Sequence, residues 1–344
     1  MNAQEEISNK IDDYEQTIHA IIGFMNFYRY DDTTKKMKDE VIVFQGRRLE
    51  PSSGRTTNAG AQTIRFVTPD FGVVWAPENG ILGEVKKSFP KDQEFWMKPF
   101  EQLMSYDDDL KGWPTTDEKI GSHDLVLLLH QTRAAAVLRF YRNNEGSKIS
   151  FRRPFIIVQF NRADERRPYY FFQKSSGSLT DKSLDTRLAD GVSVPMEIFI
   201  GNYSTIKIYD SEPPTPYLME LIWTNVVLPI VSEDPKFEKL RKNQRIEVSL
   251  EVDMIIEQLH QGFSFCGLCR DSSERQPRIP RREWVVNACE QLVNSNEAEW
   301  VEPGHTKIKV FFRKYDDVLD HFIHLCSQTE TEKQLLLFKN SPIE

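Results

Sequence analysis

The stretch that decides the reading runs Ile64-Arg-Phe-Val-Thr-Pro-Asp70, then Gly72-Val-Val-Trp75, Ala76-Pro-Glu-Asn-Gly80 and Ile81-Leu-Gly-Glu-Val-Lys-Lys-Ser-Phe89. β-Branched and aromatic residues fill both arms, and a Pro/Asn/Gly cluster parts them, which predicts two strands of a hairpin. In the second arm Glu84 and Lys86 stand two apart, so an extended chain sends both side chains from one face and Val85 from the other. Asp70 closes the first strand, and pairing across the hairpin carries its carboxylate toward Glu84.

Working outward, Ile7, Ile11, Tyr14, Ile18, Ile22 and Met25 recur at helical spacing, which predicts an amphipathic helix over Glu5 to Tyr28. Glu50 to Gln62 reads as a loop. Beyond the hairpin, Pro90 to Asp92 break the strand, and Glu94 to Asp107 reads as a helix. Asp124-Leu-Val-Leu-Leu-Leu129 and Pro154-Phe-Ile-Ile-Val-Gln-Phe160 are short continuous apolar runs of the kind that central strands carry. Thr132 to Asn143 between them is a helix. Tyr169 to Lys174 and Met196 to Ile208 supply further strands, and Pro216 to Val231 an apolar helix that closes the domain. The expected class is α/β, a mixed central sheet flanked by helices.

A second domain is expected over 234–344, after 1–233, because Ser-Glu-Asp-Pro and the charged run Lys-Phe-Glu-Lys-Leu-Arg-Lys-Asn-Gln-Arg interrupt the pattern there. Within it, helices over Ser249 to His260 and Arg281 to Asn294, two short strands over Glu299 to Val301 and Lys307 to Arg313, and a helix over Asp316 to Ser327 suggest a smaller α+β unit resembling a winged helix.

Composition narrows the classes. The chain has 344 residues, 39 % apolar and 28 % charged, and no apolar run long enough for a membrane helix. The polar, acidic N-terminus lacks the features of a secretory signal, and four cysteines make no disulfide framework, so a cytoplasmic setting is expected. The net charge of −8 does not exclude nucleic acid, since binding follows where positive charge is placed, not its total.

Phosphodiester hydrolysis needs a metal to draw charge from the phosphate, an activated water and a cation near the developing negative charge. Mg²⁺ takes hard oxygens and usually only one or two protein carboxylates. Asp70 and Glu84 are the candidate metal ligands, and Lys86 the cation that orients water or faces the phosphate. Written as Thr68-Pro69-Asp70 followed by Gly83-Glu84-Val85-Lys86-Lys87, these residues resemble the PD-(D/E)xK nuclease superfamily. Gln102 and Tyr106, four apart on one face of the predicted helix, are similar to the QxxxY element of its RecB-type members. The resemblance covers roughly Glu5 to Asn161. It implies a restriction-endonuclease-like fold, a Mg²⁺ cofactor with Mn²⁺ as substitute, and catalytic roles for Asp70, Glu84, Lys86, Gln102 and Tyr106. It also suggests an acidic contribution from the first helix, for which Glu6, Asp13 and Glu15 are candidates; each also reads as ordinary solvated charge.

Lys87 is a candidate phosphate contact, or a solvent-facing lysine. Arg270, Arg275, Arg278, Arg281 and Arg282 form the densest basic cluster and are candidate DNA contacts; a solvated loop or a protein contact is the alternative. Arg152, Arg153, Arg162, Arg166 and Arg167 flank a core strand and could line a groove. Cys266-Gly-Leu-Cys269 is half of a zinc pattern without a second half, His260 being a possible third ligand; Cys289, His321, His324 and Cys326 do not complete it. His19, His123 and His130 have no partner at recognisable spacing. The expected activity is a metal-dependent deoxyribonuclease, in restriction or antiviral defence by analogy, acting as a homo-oligomer or under a partner protein. An inactive nuclease-fold protein that binds nucleic acid or assembles, and an RNA-cleaving nuclease, remain open alternatives.

Overall fold

In the computed structural model of the chain, the residues described are 2–31, 36–37, 41–52, 66–75, 79–87, 96–114, 122–144, 148–163, 169–195, 207–209, 211–241, 244–261 and 279–328. They fall into two compact units, one drawn from 16–210, the other from 1–15 and from 211 onward.

Helix α1 (Ala3–Arg29) serves both units. Asn2 and Glu5 cap its start reciprocally, the Glu5 N–H donating to Asn2 Oδ1 at 2.8 Å and the Asn2 N–H to Glu5 Oε2 at 3.1 Å. The larger unit is built on strands β1 (Val41–Phe44), β2 (Phe71–Trp75), β3 (Asn79–Lys86), β4 (Ser122–His130), β5 (Phe155–Ala163), β6 (Tyr169–Gly177) and β7 (Val192–Pro195), with helices α2 (Met97–Ser105), α3 (Gln131–Asn144) and α4 (Lys182–Asp190). The strands form one seven-stranded sheet in the order β7-β6-β5-β4-β3-β2-β1. β3, β4 and β5 are parallel neighbours, and the remaining pairs are antiparallel. Leu125 through Leu129 are wholly buried, as a strand covered on both faces requires.

The two faces have different occupants. Leu82, Leu125, Leu127, Phe155 and Ile157 form a cluster with Phe100 and Leu103 of α2 and Val137 of α3. On the other face Phe24 of α1 meets Phe71 and Phe172 at centroid distances of 5.6 and 5.5 Å. The Phe71 ring lies across Gly83, where a Cβ would sit 2.0 Å from its Cζ, so this crossing of the hairpin admits only glycine.

Several boundaries differ from the sequence reading. The first hairpin strand begins at Phe71, not Ile64; Pro69 has no N–H to give a ladder, and Asp70 occupies a bend. Val67 makes an isolated antiparallel bridge to Leu49, while Ile64 and Arg65 lie outside the described residues. α4 and β7 were not anticipated: α4 buries only Leu184 and Leu188, too few apolar positions to show a period. Most of the strand read over Met196 to Ile208 lies outside the described residues, and 207–209 have no regular structure.

In the second unit, α5 (Thr215–Ile222) runs through a π-helical turn, Trp223–Val227, into α6 (Leu228–Ser232). Pro229 supplies no N–H to the turn before it, which accounts for the local widening. β8 (Ile246–Glu251), α7 (Val252–Gln261), α8 (Arg282–Asn294), β9 (Ala298–Trp300), β10 (Lys307–Phe312) and a helix α9 over 318–328 follow. The strands form an antiparallel sheet in the order β8-β10-β9. β8 replaces the start of the helix read from Ser249. The boundary expected at 233/234 falls earlier, at Ser211: α5 is buried almost all round, and Trp223 stacks on Phe312 at 5.2 Å and meets Phe322 edge-on at 5.5 Å. That helix is the core of the second unit, not the lid of the first.

Candidate active site

Register places the site. Phe71 pairs with Gly83 across the β2–β3 hairpin, so Asp70, one residue before, comes opposite Glu84. The Asp70 carboxylate is fixed there by the Val85 N–H, which donates to its Oδ2 at 2.8 Å. Glu84 and Lys86 leave one face of β3 as alternation requires, and the Lys86 Nζ lies 2.9 Å from Glu84 Oε2 and 3.8 Å from Asp70 Oδ2. The helix after β3 then supplies the rest. Gln102 Nε2 donates to Glu84 Oε1 at 2.9 Å and to the Tyr106 hydroxyl at 3.1 Å. The Tyr106 hydroxyl in turn contacts Glu84 Oε1 and lies 2.9 Å from the Thr68 carbonyl. The structure thus brings Asp70, Glu84, Lys86, Gln102 and Tyr106 into one connected group.

Its electrostatics follow from burial. The Glu84 side chain has no exposed surface, and burial, with Asp70 nearby, raises its pKa to about 8 against the opposing pull of Lys86 and Tyr106. Burial works to lower the Lys86 pKa, but Asp70 and Glu84 outweigh it and hold the ammonium charged well above its ordinary range. Tyr106 is held neutral by burial and by the two carboxylates. A hydroxyl has one proton. With Glu84 protonated, the carboxyl donates to Tyr106, whose own proton goes to Thr68; with Glu84 ionised, the phenol turns to it.

Further support was not legible as a motif. The buried His123 ring lies with Nε2 2.8 Å from the Tyr106 carbonyl and packs on Trp113. Burial, helped by Arg153, pushes its pKa down to about 3, so it is neutral and donates through Nε2. Asp107 accepts the N–H groups of Arg152 and Arg153 at 2.7 and 2.9 Å, tying the end of α2 to the start of β5. Tyr209 also acts to keep Lys86 charged. No local spacing points to any of these, because each partner comes from a distant part of the chain.

The chain matches no known family model, no curated protein and no solved structure.

Other candidates stand apart from this group. Lys87 occupies the bend after β3, half-buried. Arg152 and Arg153 hold the acidic turn Asp107 to Asp109 at the opposite end of the parallel strands from Lys86. Arg162 is half-buried on the α1 face, and Arg166 and Arg167 lie outside the described residues. So do Arg270, Arg275, Arg278, Cys266 and Cys269. Arg281 lies over the Trp284 ring at 5.0 Å, and Arg282 pairs with Asp253. His260 bonds the Ile279 carbonyl at 2.9 Å, Cys289 is buried with its thiol pushed up to about 12, and Cys326 meets Met219. Among the described residues, no three His, Cys, Asp or Glu side chains gather to hold a metal. Glu6 pairs with Lys10 at 2.8 Å, and Glu6, Asp13 and Glu15 all lie on the part of α1 that belongs to the second unit.

Proposed function

We propose that the chain is a metal-dependent nuclease that hydrolyses phosphodiester bonds, with DNA as substrate, of the PD-(D/E)xK type with a restriction-endonuclease-like core. One observation carries this reading: an ammonium 2.9 Å from one carboxylate and 3.8 Å from another, held charged at the C-terminal end of an interior strand. A stability role explains it poorly, since burying these charges costs more than an apolar pair in the same place.

The donor set fits Mg²⁺. Two carboxylates with hard oxygens are what that ion commonly takes from protein, and the raised pKa of Glu84 marks a carboxylate that ionises readily only when a cation joins it. When bound between Asp70 and Glu84, Mg²⁺ or Mn²⁺ would lower the pKa of water and neutralise phosphate charge. The side chains do the remaining work. Lys86 keeps its proton and sets a positive charge where the phosphate gains negative charge. Gln102 and Tyr106 hold Glu84 Oε1, leaving Oε2 to Lys86. Val85 holds Asp70 from the strand backbone.

The second unit supports an accessory role in this reading. Its order of helix, strand, helix, helix and hairpin, with β8 beside β10, fits a winged-helix-like module that would bind duplex DNA or a partner.

The test is incubation with plasmid, linear and single-stranded DNA and with RNA, in Mg²⁺, Mn²⁺ or EDTA, alongside Asp70→Ala and Lys86→Ala. Cleavage is expected to need metal and to vanish in both variants. Equal cutting by the parent and both variants, or no cutting on any substrate, overturns the reading; RNA cut in preference to DNA replaces the substrate.

A further inference from the structure

The row of residues containing Lys86 continues across the sheet. Lys86 pairs with Leu129 of β4, Leu129 with Gln159 of β5, and Gln159 with Gln173 of β6. Paired residues share a face, so all four project on the side of Glu84. At about 4.8 Å per strand, Gln159 lies about 10 Å from Lys86, the length of about three nucleotides of a B-form strand.

Along β5 this face is apolar and buried at Phe155 and Ile157, then turns to amides at Gln159 and Asn161, both half-buried. Gln159 Nε2 donates to Gln173 Oε1 at 2.9 Å. That bond leaves Gln159 Oε1 and Gln173 Nε2 without a partner among the described residues, one acceptor and one donor side by side.

β6 shows the same division. Tyr170 and Phe172 turn toward α1, where they meet His19 and Phe24 at 6.2 and 5.5 Å. Tyr169 and Phe171 alternate onto the Lys86 face, paired with Ala163 and Asn161. Both are half-buried, and neither contacts another ring among the described residues. Phe171 lies against Gly191, where a Cβ would sit 2.4 Å from its Cζ.

We propose that this face of β5 and β6 is a base-binding platform for a single-stranded segment of the substrate. Phe171 and Tyr169 stack on unpaired bases, and Gln159, Asn161 and Gln173 bond base edges, while Lys86 holds the scissile phosphate. Stacking needs bases freed from a duplex, and neutral amides beside aromatic rings read bases, not phosphates. The inference rests on the nuclease reading of the same site.

The experiment uses the full chain carrying Lys86→Ala, so that binding is measured without cutting. Fluorescence anisotropy follows a labelled single-stranded DNA, the RNA of the same sequence and the DNA duplex. Gln159→Leu and Phe171→Leu are expected to weaken binding of the single strand by about 5- to 150-fold and to leave the duplex unchanged, with Phe171→Trp restoring affinity. Circular dichroism confirms that each variant is folded. Unchanged affinity in both leucine variants, or no binding of either single strand by the parent, overturns the platform; a larger loss for RNA assigns it to RNA. Cleavage by the native chain is scored separately. Platform-dependent binding without cleavage removes the nuclease reading alone, and cleavage without platform-dependent binding removes the platform alone.

Discussion

His123 touches none of the reacting groups, yet it sets where Tyr106 lies. Its Nε2 bonds the Tyr106 carbonyl, and Tyr106 in turn fixes Glu84. Burial lowers its pKa from 6.5 to about 3, so between these values the unfolded chain takes up a proton that the folded one refuses. The stability it contributes is complete above about pH 6.5 and is lost as pH falls toward 3. Urea titrations from neutral to acid pH are expected to show this decline, and His123→Gln, which keeps a donor but cannot protonate, to flatten it. An unchanged slope in His123→Gln would assign the acid sensitivity to other groups. The residues of the site divide in the same way. Asp70, Glu84 and Lys86 were legible because a strand alternates, and Gln102 and Tyr106 because a helix repeats. His123, Gln159 and Gln173 were not, since their meaning comes from strands paired across long stretches of chain.

At the level of elements, the junction between α2 and β5 carries the most consequence. Asp107, 3 % exposed, accepts two backbone N–H groups from Arg152 and Arg153 immediately after Tyr106. Removing the carboxylate leaves both donors without their acceptor, at a cost of about 1–3 kcal/mol. Asp107→Ala is therefore expected to lower the urea midpoint and weaken Mg²⁺ binding together, because the end of α2 and Tyr106 lose the same anchor. A stability loss with Mg²⁺ affinity intact would separate the junction from the site. Elements with strong apolar runs, β4 and β5, were read nearly to their limits. β8 was missed because Ile246 to Glu251 alternates apolar and polar residues just before a helix, and the two patterns merge into one apparent helical run. The strand before Asp70 was over-read because its apolar residues outweighed Pro69.

Across the whole molecule, two cores divide the work. Trp223 is buried in the second unit among Phe312, Tyr315 and Phe322, so Trp223→Ala is expected to cost about 3–5 kcal/mol there. Calorimetry should show one transition moved down, with the transition of the first unit unmoved. A single transition displaced as a block would mean that the units unfold as one. The helix bearing Trp223 explains why the boundary read from the charged run at 234 came late: a change in composition marks where solvent begins, not where a core ends.

The seven strands lie in space in the order in which they occur in sequence. Each new strand after the first therefore finds one neighbour already made as the chain leaves the ribosome, and at any moment only the newest strand edge waits for the next to be translated. Asp70, Glu84, Lys86, Gln102 and Tyr106 are all synthesised before β5 and β6 emerge, so every member of the proposed centre leaves the ribosome ahead of the proposed platform.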